Sequence, residues 1–261
     1  MLSSAAPLSD VPAGSTALRT LFVLLSVVVA SLFPVAVWRS GAPRALRQAA
    51  IATVVVAAWL AITLGAAASG ALRFSPPPPT MMALFVAVFA IAVGVSLSPV
   101  GRRIATQLPL AALVGYQGFR VGVELLMHRA YTEGLMPVQM SYSGRNLDII
   151  TGLTAIGVAA WLVAGGKSLR VVLVWNTLGL ALLINILAVA ILSAPTPFRV
   201  FMNEPSNIWV SQAPWVWLPA VLVLEALMGH MLVYRRLWIE SRTARAKHPG
   251  ARLEGLAEVR R

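Results

Sequence analysis

Seven stretches of apolar residues run along the chain, at about 19–38, 49–69, 80–98, 105–128, 148–165, 169–193 and 213–236, with polar segments between them. A helix rises 1.5 Å per residue, so about 20 residues cross a hydrocarbon core, and each stretch comes close to or exceeds that length. The fifth is the shortest and has to stand fairly upright or sit among longer neighbours. In lipid every backbone amide needs an internal partner. That requires helices here, because the alternating in-out pattern of a barrel is absent. The pattern predicts an all-α, polytopic integral membrane bundle of seven transmembrane helices; six is the alternative if the fourth or fifth stretch fails to cross. The organisation that follows is a short extracytoplasmic tail (1–18), a membrane domain (19–236) and a basic cytoplasmic tail (237–261).

The segments between the stretches give an orientation. With the N-terminus outside, fifteen of the 21 basic residues fall on the cytoplasmic side: Arg39, Arg44, Arg47, Arg102, Arg103, Lys167, Arg170, Arg235, Arg236 and the six of the tail. The other side receives longer, Pro-richer loops of mixed charge. That is the positive-inside distribution, with the C-terminus cytoplasmic in a bacterial inner membrane. Residues 1–18 carry no Lys or Arg and include Asp10, Pro7 and Pro12, so the first stretch reads as a span held by the arginines after it, not as a cleaved signal. The run Pro76–Pro79 reads as a stiff connector before the third span. The tail after residue 237 should begin by continuing the last helix along the lipid headgroups.

Composition agrees. The chain is 58% hydrophobic and 11% charged, where soluble domains carry about 25% charged residues, and its mean hydropathy is +0.79. A net charge of +12 would suggest nucleic acid in a soluble protein. Here the basic residues border apolar stretches and form no docking face, so membrane lipids are the expected partner and nucleic acid is not. Self-association into a homo-oligomer is left open. The absence of cysteine excludes disulfides, thiolate metal sites and cysteine nucleophiles.

The chemistry concentrates in spans four to seven. In the fourth, Tyr116, Arg120, Glu124 and His128 recur every four residues and form one polar stripe beside Gln117. Helix rise puts Arg120 about 5 Å from the midplane and Glu124 about 10 Å from it. An arginine at that depth should face the bundle interior or a wet cavity, with Glu124 one turn away as its nearest countercharge. The fifth span opens with Arg145, Asn146 and Asp148, of which Asn146 or Asp148 can cap its first turn. The sixth contributes Asn176 and Asn185. The seventh contributes Glu225 and His230, and Pro219 should kink it beside Trp215 and Trp217, tryptophans that suit an interfacial position. Arg120, Glu124, Asp148, Asn185 and Glu225 are the leading candidates for a ligand or coupling site in a chamber opening outward. Spans one to three, apart from hydroxyls such as Thr53 and Thr63, read as scaffold.

No metal site is expected, because the three histidines stand apart and no H-E-x-x-H pairing exists. A Schiff-base pigment is excluded by the lack of lysine in the last span. The cofactor is left unassigned; a haem held by His128 with Met136 or Met140 is the one arrangement with ligands at comparable depth. The reading that fits best is movement of a small solute or ion with proton or charge coupling through the buried carboxylates. The alternatives are a binding or sensory protein holding an amphiphile, quinone or pigment, and an enzyme acting on a lipid-linked substrate, for which no nucleophile constellation is visible.

Overall fold

The computed structural model describes residues 12–41, 43–74 and 79–247; the expected connector Pro76–Pro79 lies mostly outside these, as do the first eleven residues of the N-terminal tail and the tail beyond Lys247. Nine α-helices appear among them: α1 (Thr16–Arg39), α2 (Ala45–Ala68), α3 (Thr80–Leu97), α4 (Pro99–Gln107), α5 (Leu110–Gly115), α6 (Phe119–Thr132), α7 (Asp148–Val163), α8 (Leu169–Leu192) and α9 (Leu224–Lys247). Six continuous helical stretches are long and apolar enough to cross a membrane: α1, α2, α3, α5–α6, α8 and the stretch ending in α9. The fold is all-α, a polytopic bundle of apolar helices. Helix α7 is apolar but has only 16 residues, about 24 Å of rise against a core of about 30 Å.

The fourth apolar window is not one helix. It breaks at Leu108–Pro109, because proline has no N–H to continue the ladder and drives the residue before it out of helical space; Leu108 sits at φ −80°, ψ 146°. Before the break, α4 starts at a Ser98 cap with Pro99 in its first turn and buries Gly101, Ile104 and Ala105. After it, α5 and α6 run as one rod joined by a 3-10 turn at Tyr116–Gly118.

Helix α9 is the axis. In its apolar window 78% of residues are buried, against 11% for α2, which lies at the edge against α1. Helices α3, α4, α5 and α8 all pack on α9. The kink expected at Pro219 takes the form of a π-type turn over Leu218–Val223. There the carbonyl of Ala220 accepts the Trp59 indole N–H at 2.8 Å, and the Trp217 indole donates to Leu60 O at 3.2 Å. The Trp59 side chain of α2 thus gives a partner to a carbonyl of the turn, and the Trp217 indole ties the turn back to α2. Trp215 and Trp217 are buried within the bundle: Trp215 meets Phe22 and Trp209 edge-on or tilted, with centroids 5.0 and 5.4 Å apart.

Two arginines of α9 do more than carry charge. Arg235 donates to the carbonyls of Ser96 and Ser98, and Arg236 to those of Ala105 and Thr106. Ser96, Ala105 and Thr106 lie in the last turns of α3 and α4, whose carbonyls have no helical partner, so a guanidinium there satisfies both the bonds and the helix dipoles; Ser98, between the two helices, also accepts from the Arg102 N–H at 3.0 Å. The end of the bundle near α4 is thereby tied to α9. The opposite end is closed by the loops 133–147 and 193–217. Gln139 Nε2 donates to Ser193 Oγ (2.9 Å), Asn203 Nδ2 to Gln139 Oε1 (3.0 Å) and Asn207 Nδ2 to Ala190 O (2.9 Å).

Candidate functional site

Helix α7 crosses α6 backbone to backbone at Arg120. A Cβ on Gly152 would stand 2.8 Å from the Val121 nitrogen and side chain, so only glycine permits this approach. One turn earlier, Asp148 begins α7. Its own N–H is accepted by Asn146 Oδ1 at 3.0 Å, so Asn146 turns the chain and Asp148's carboxylate is left free for another partner. That partner is Arg120, whose Nε donates to Asp148 Oδ2 at 2.7 Å while Nη2 bonds the second oxygen. The two-pronged geometry is the strong form of the contact, and both side chains are buried.

The pairing of Arg120 with Glu124 that the stripe suggests does not form. A facing carboxylate meets both prongs of the guanidinium, whereas an arginine N-terminal to a glutamate on one helix is the less favourable order. Glu124 instead accepts from Asn146 Nδ2 at 2.6 Å, and the same amide nitrogen donates to Met140 O at 2.9 Å. Glu124 has no ion pair among the described residues.

Arg120 Nη1 also lies 2.8 Å from His230 Nε2. A guanidinium only donates, so Nε2 accepts and His230 Nδ1 carries the hydrogen, which it gives to Asn176 Oδ1 at 2.9 Å. Asn176 Nδ2 returns a bond to His230 O at 3.1 Å. The result is a buried chain, Asp148–Arg120–His230–Asn176, linking α7, α6, α9 and α8. Gly179 makes room for it, since a Cβ there would be 2.8 Å from the His230 ring.

Two cavities flank this level. The first, about 60 Å³ in volume, occupies the loop half. Its walls are mainly apolar, including Phe85, Met127, Met140, Leu183, Leu187 and Leu222, and its polar members are Arg120, Glu124, Asp148 and Asn207. It is narrow. The second, about 80 Å³ in volume, lies toward α4, with Phe33, Ile104 and Leu108 in its wall beside Tyr116 and Glu225. There the Tyr116 hydroxyl donates to Glu225. About one turn separates the two, closed by the Tyr116–Phe119 ring contact (centroids 5.4 Å apart) and by Gln117 Nε2 donating to Ala226 O at 2.9 Å.

Glu225 therefore does not join the Arg120 cluster. The 3-10 turn at 116–118 is part of the reason: it advances about 120° per residue, not 100°, and swings Tyr116 off the line of Arg120 and Glu124. Asn185 is also elsewhere; it is exposed on α8 and donates to Arg145 O at 2.9 Å. Arg145 is exposed, its guanidinium 5.3 Å from the Phe201 ring centroid. His128 is half-buried under the loop, with Nδ1 2.9 Å from Ser141 Oγ and its ring stacked on Tyr142. Neither Trp215 nor Trp217 lines the cavity. Sequence reasoning missed Met140, Asn207 and Phe85 as wall residues. Loop residues carry no periodicity, and Phe85 sits in a span that reads as scaffold.

A family model described as a domain of unknown function (DUF8737) matches residues 77–238. The chain belongs to this family. The DUF8737 match takes in every residue of the Arg120 cluster and both loops over the cavity, and leaves α1 and α2 outside. No curated protein and no solved structure matches the chain.

Proposed function

We propose that this protein crosses a bacterial inner membrane seven times, N-terminus outside and C-terminus cytoplasmic, and binds an apolar or amphiphilic small molecule in the cavity of its outward-facing half. The observation that carries the reading is the wall of that cavity, apolar along its length with Glu124 and the Arg120–Asp148 pair set into it. Small-molecule sites have this make-up: a hydrophobic enclosure with a few placed polar groups that orient the ligand. Seven crossings need α7 to span despite its length, which its position among longer neighbours supports. The segregation of basic residues supports the orientation. Exposed apolar side chains such as Ile51, Val54 and Ile62 on α2 face lipid.

A second reading, movement of a solute or ion with proton or charge coupling, is favoured by the second cavity. Glu225 and Tyr116 reach from the α4 end to within a turn of the first cavity, and unpaired carboxyls inside a membrane are the usual parts of such relays. Protein purified in native lipid and reconstituted into sealed vesicles separates the two readings. Binding predicts an apolar molecule recovered in near-stoichiometric amount on solvent extraction, with no counterflow of it across the vesicle membrane. Counterflow that is lost in Glu225→Gln establishes the second reading, and recovery of lipid alone contradicts the first.

A further inference from the structure

Among the described residues, five buried side-chain atoms lack a hydrogen-bond partner: Arg103 Nε, Gln117 Oε1, Thr151 Oγ1, Asn207 Oδ1 and Trp209 Nε1. Of these residues only Asn207 lines the loop-half cavity. Its amide orientation is fixed by its neighbour. Nδ2 donates to Ala190 O at 2.9 Å, and exchanging N and O would set two acceptors against each other. The free atom is therefore a carbonyl oxygen, 1% exposed as a residue, and an acceptor so buried is costly without a donor. A water in that position needs two to four polar partners. The Ala190 carbonyl already accepts from Nδ2, and apart from Arg120, Glu124 and Asp148 the cavity wall is apolar.

Resting on the ligand-binding reading of this cavity, we infer that its occupant is an apolar molecule carrying a hydroxyl, which donates to Asn207 Oδ1 under the loops while the apolar body lies along the cavity. The narrow bore favours a slim chain over a bulky ring system. The carboxyl of Glu124 and the Arg120–Asp148 pair stand on the same cavity wall as a second polar contact, so molecules with a polar group at each end also fit. A molecule of the same shape that can only accept hydrogen bonds leaves Asn207 Oδ1 stranded. Sites built around a buried polar group reject such analogues more strongly than they reject a change of one methylene.

The test is the affinity of the full chain in lipid nanodiscs for n-decanol and for its isomer methyl nonyl ether, by titration calorimetry with empty nanodiscs as blank. One buried hydrogen bond corresponds to about tenfold in affinity. The expected result is that n-decanol binds about tenfold more tightly than the ether, and that Asn207→Leu brings the two to parity. If Asn207→Leu does not fold, Asn207→Ser, which withdraws the acceptor from the cavity, reads the same ratio. Equal binding of both compounds to the wild type overturns the hydroxyl inference and leaves the ligand-binding reading standing. A preference that persists in the variants overturns the role of Asn207. Binding of neither compound overturns the reading of the cavity itself.

Discussion

Arg120 has two carboxylates within reach, and its choice between them sets what each side chain can do. Committed to Asp148 and His230, it leaves Glu124 as a carboxyl held by one amide in an apolar wall. Removing one member of a buried ion pair strands the other, at a cost of about 3–5 kcal/mol, whereas removing both is far milder. Asp148→Asn should therefore lower stability strongly, and Arg120→Met/Asp148→Asn should recover most of it. Glu124→Gln should cost only about 1 kcal/mol. Melting of the four proteins in one detergent checks this order; an Arg120→Met/Glu124→Gln double variant that recovers stability instead would restore the pairing the stripe suggests. The spacing of Arg120 and Glu124 is visible in the sequence. The identity of the partner is not, because it depends on Gly152 bringing α7 against α6, which joins two residues 28 positions apart in the chain.

A second residue-scale prediction concerns the start of α1. Glu133 accepts from the Ser15 backbone N–H (2.6 Å) and hydroxyl (2.7 Å), with Arg129 beside it. Those bonds, the backbone one first, hold its carboxyl below the ordinary value of 4.5. A lowered value in the folded state means that the contribution to stability is present above the ordinary value and is lost as pH falls through the lowered one. The first turn of α1 should lose amide-exchange protection in that acid range, and Glu133→Gln should remove this pH dependence. The site is close to solvent, so the effect on global melting should be small. Unchanged exchange at Ser15 and Leu18 across that range would count against the contact.

At the scale of the element, close helix approach carries the site. Gly152→Ala would push its Cβ to 2.8 Å from the α6 backbone, and backbone cannot yield as a side-chain tip can. Overpacking of this kind costs about 1–3 kcal/mol. It should also lengthen the Arg120–Asp148 contact, so ligand retention should fall more than in Gly157→Ala, where nothing lies within 4 Å. Equal behaviour of the two variants in melting and retention would show that the approach is not what sets the site. The break at Leu108–Pro109 was available to sequence reasoning through Ser98, Pro99 and Pro109. It was hidden because hydropathy averaged over a window runs across a short amphipathic helix whose apolar face, Ile104 and Ala105, continues the apolar pattern. The roles of Arg235 and Arg236 were likewise half-visible. Their charge reads as topology, while their bonds to the ends of α3 and α4 need the tertiary structure.

For the whole molecule, the all-helical membrane fold was legible because lipid leaves the backbone no other choice and the apolar windows are long. The working half was legible as a list of polar residues at depth. How those residues divide between two cavities was not, since a 3-10 turn of three residues and the rotation of α8 decide that Tyr116 and Glu225 face one way and that Asn185 faces out. The proposed topology predicts that single cysteines placed in this cysteine-free chain will label from outside at residue 200 and only from the cytoplasm at residue 250. Labelling of both from one side would remove the seven-span arrangement. The central claim is that the loop-half cavity holds a molecule, and native mass spectrometry of the intact chain released from native lipid tests it most directly. Wild type should carry one adduct of constant mass per chain, and Leu187→Trp, which fills the cavity wall, should lose that adduct while still melting cooperatively. A wild-type chain with no such adduct, or an adduct that survives in a folded Leu187→Trp, would contradict it.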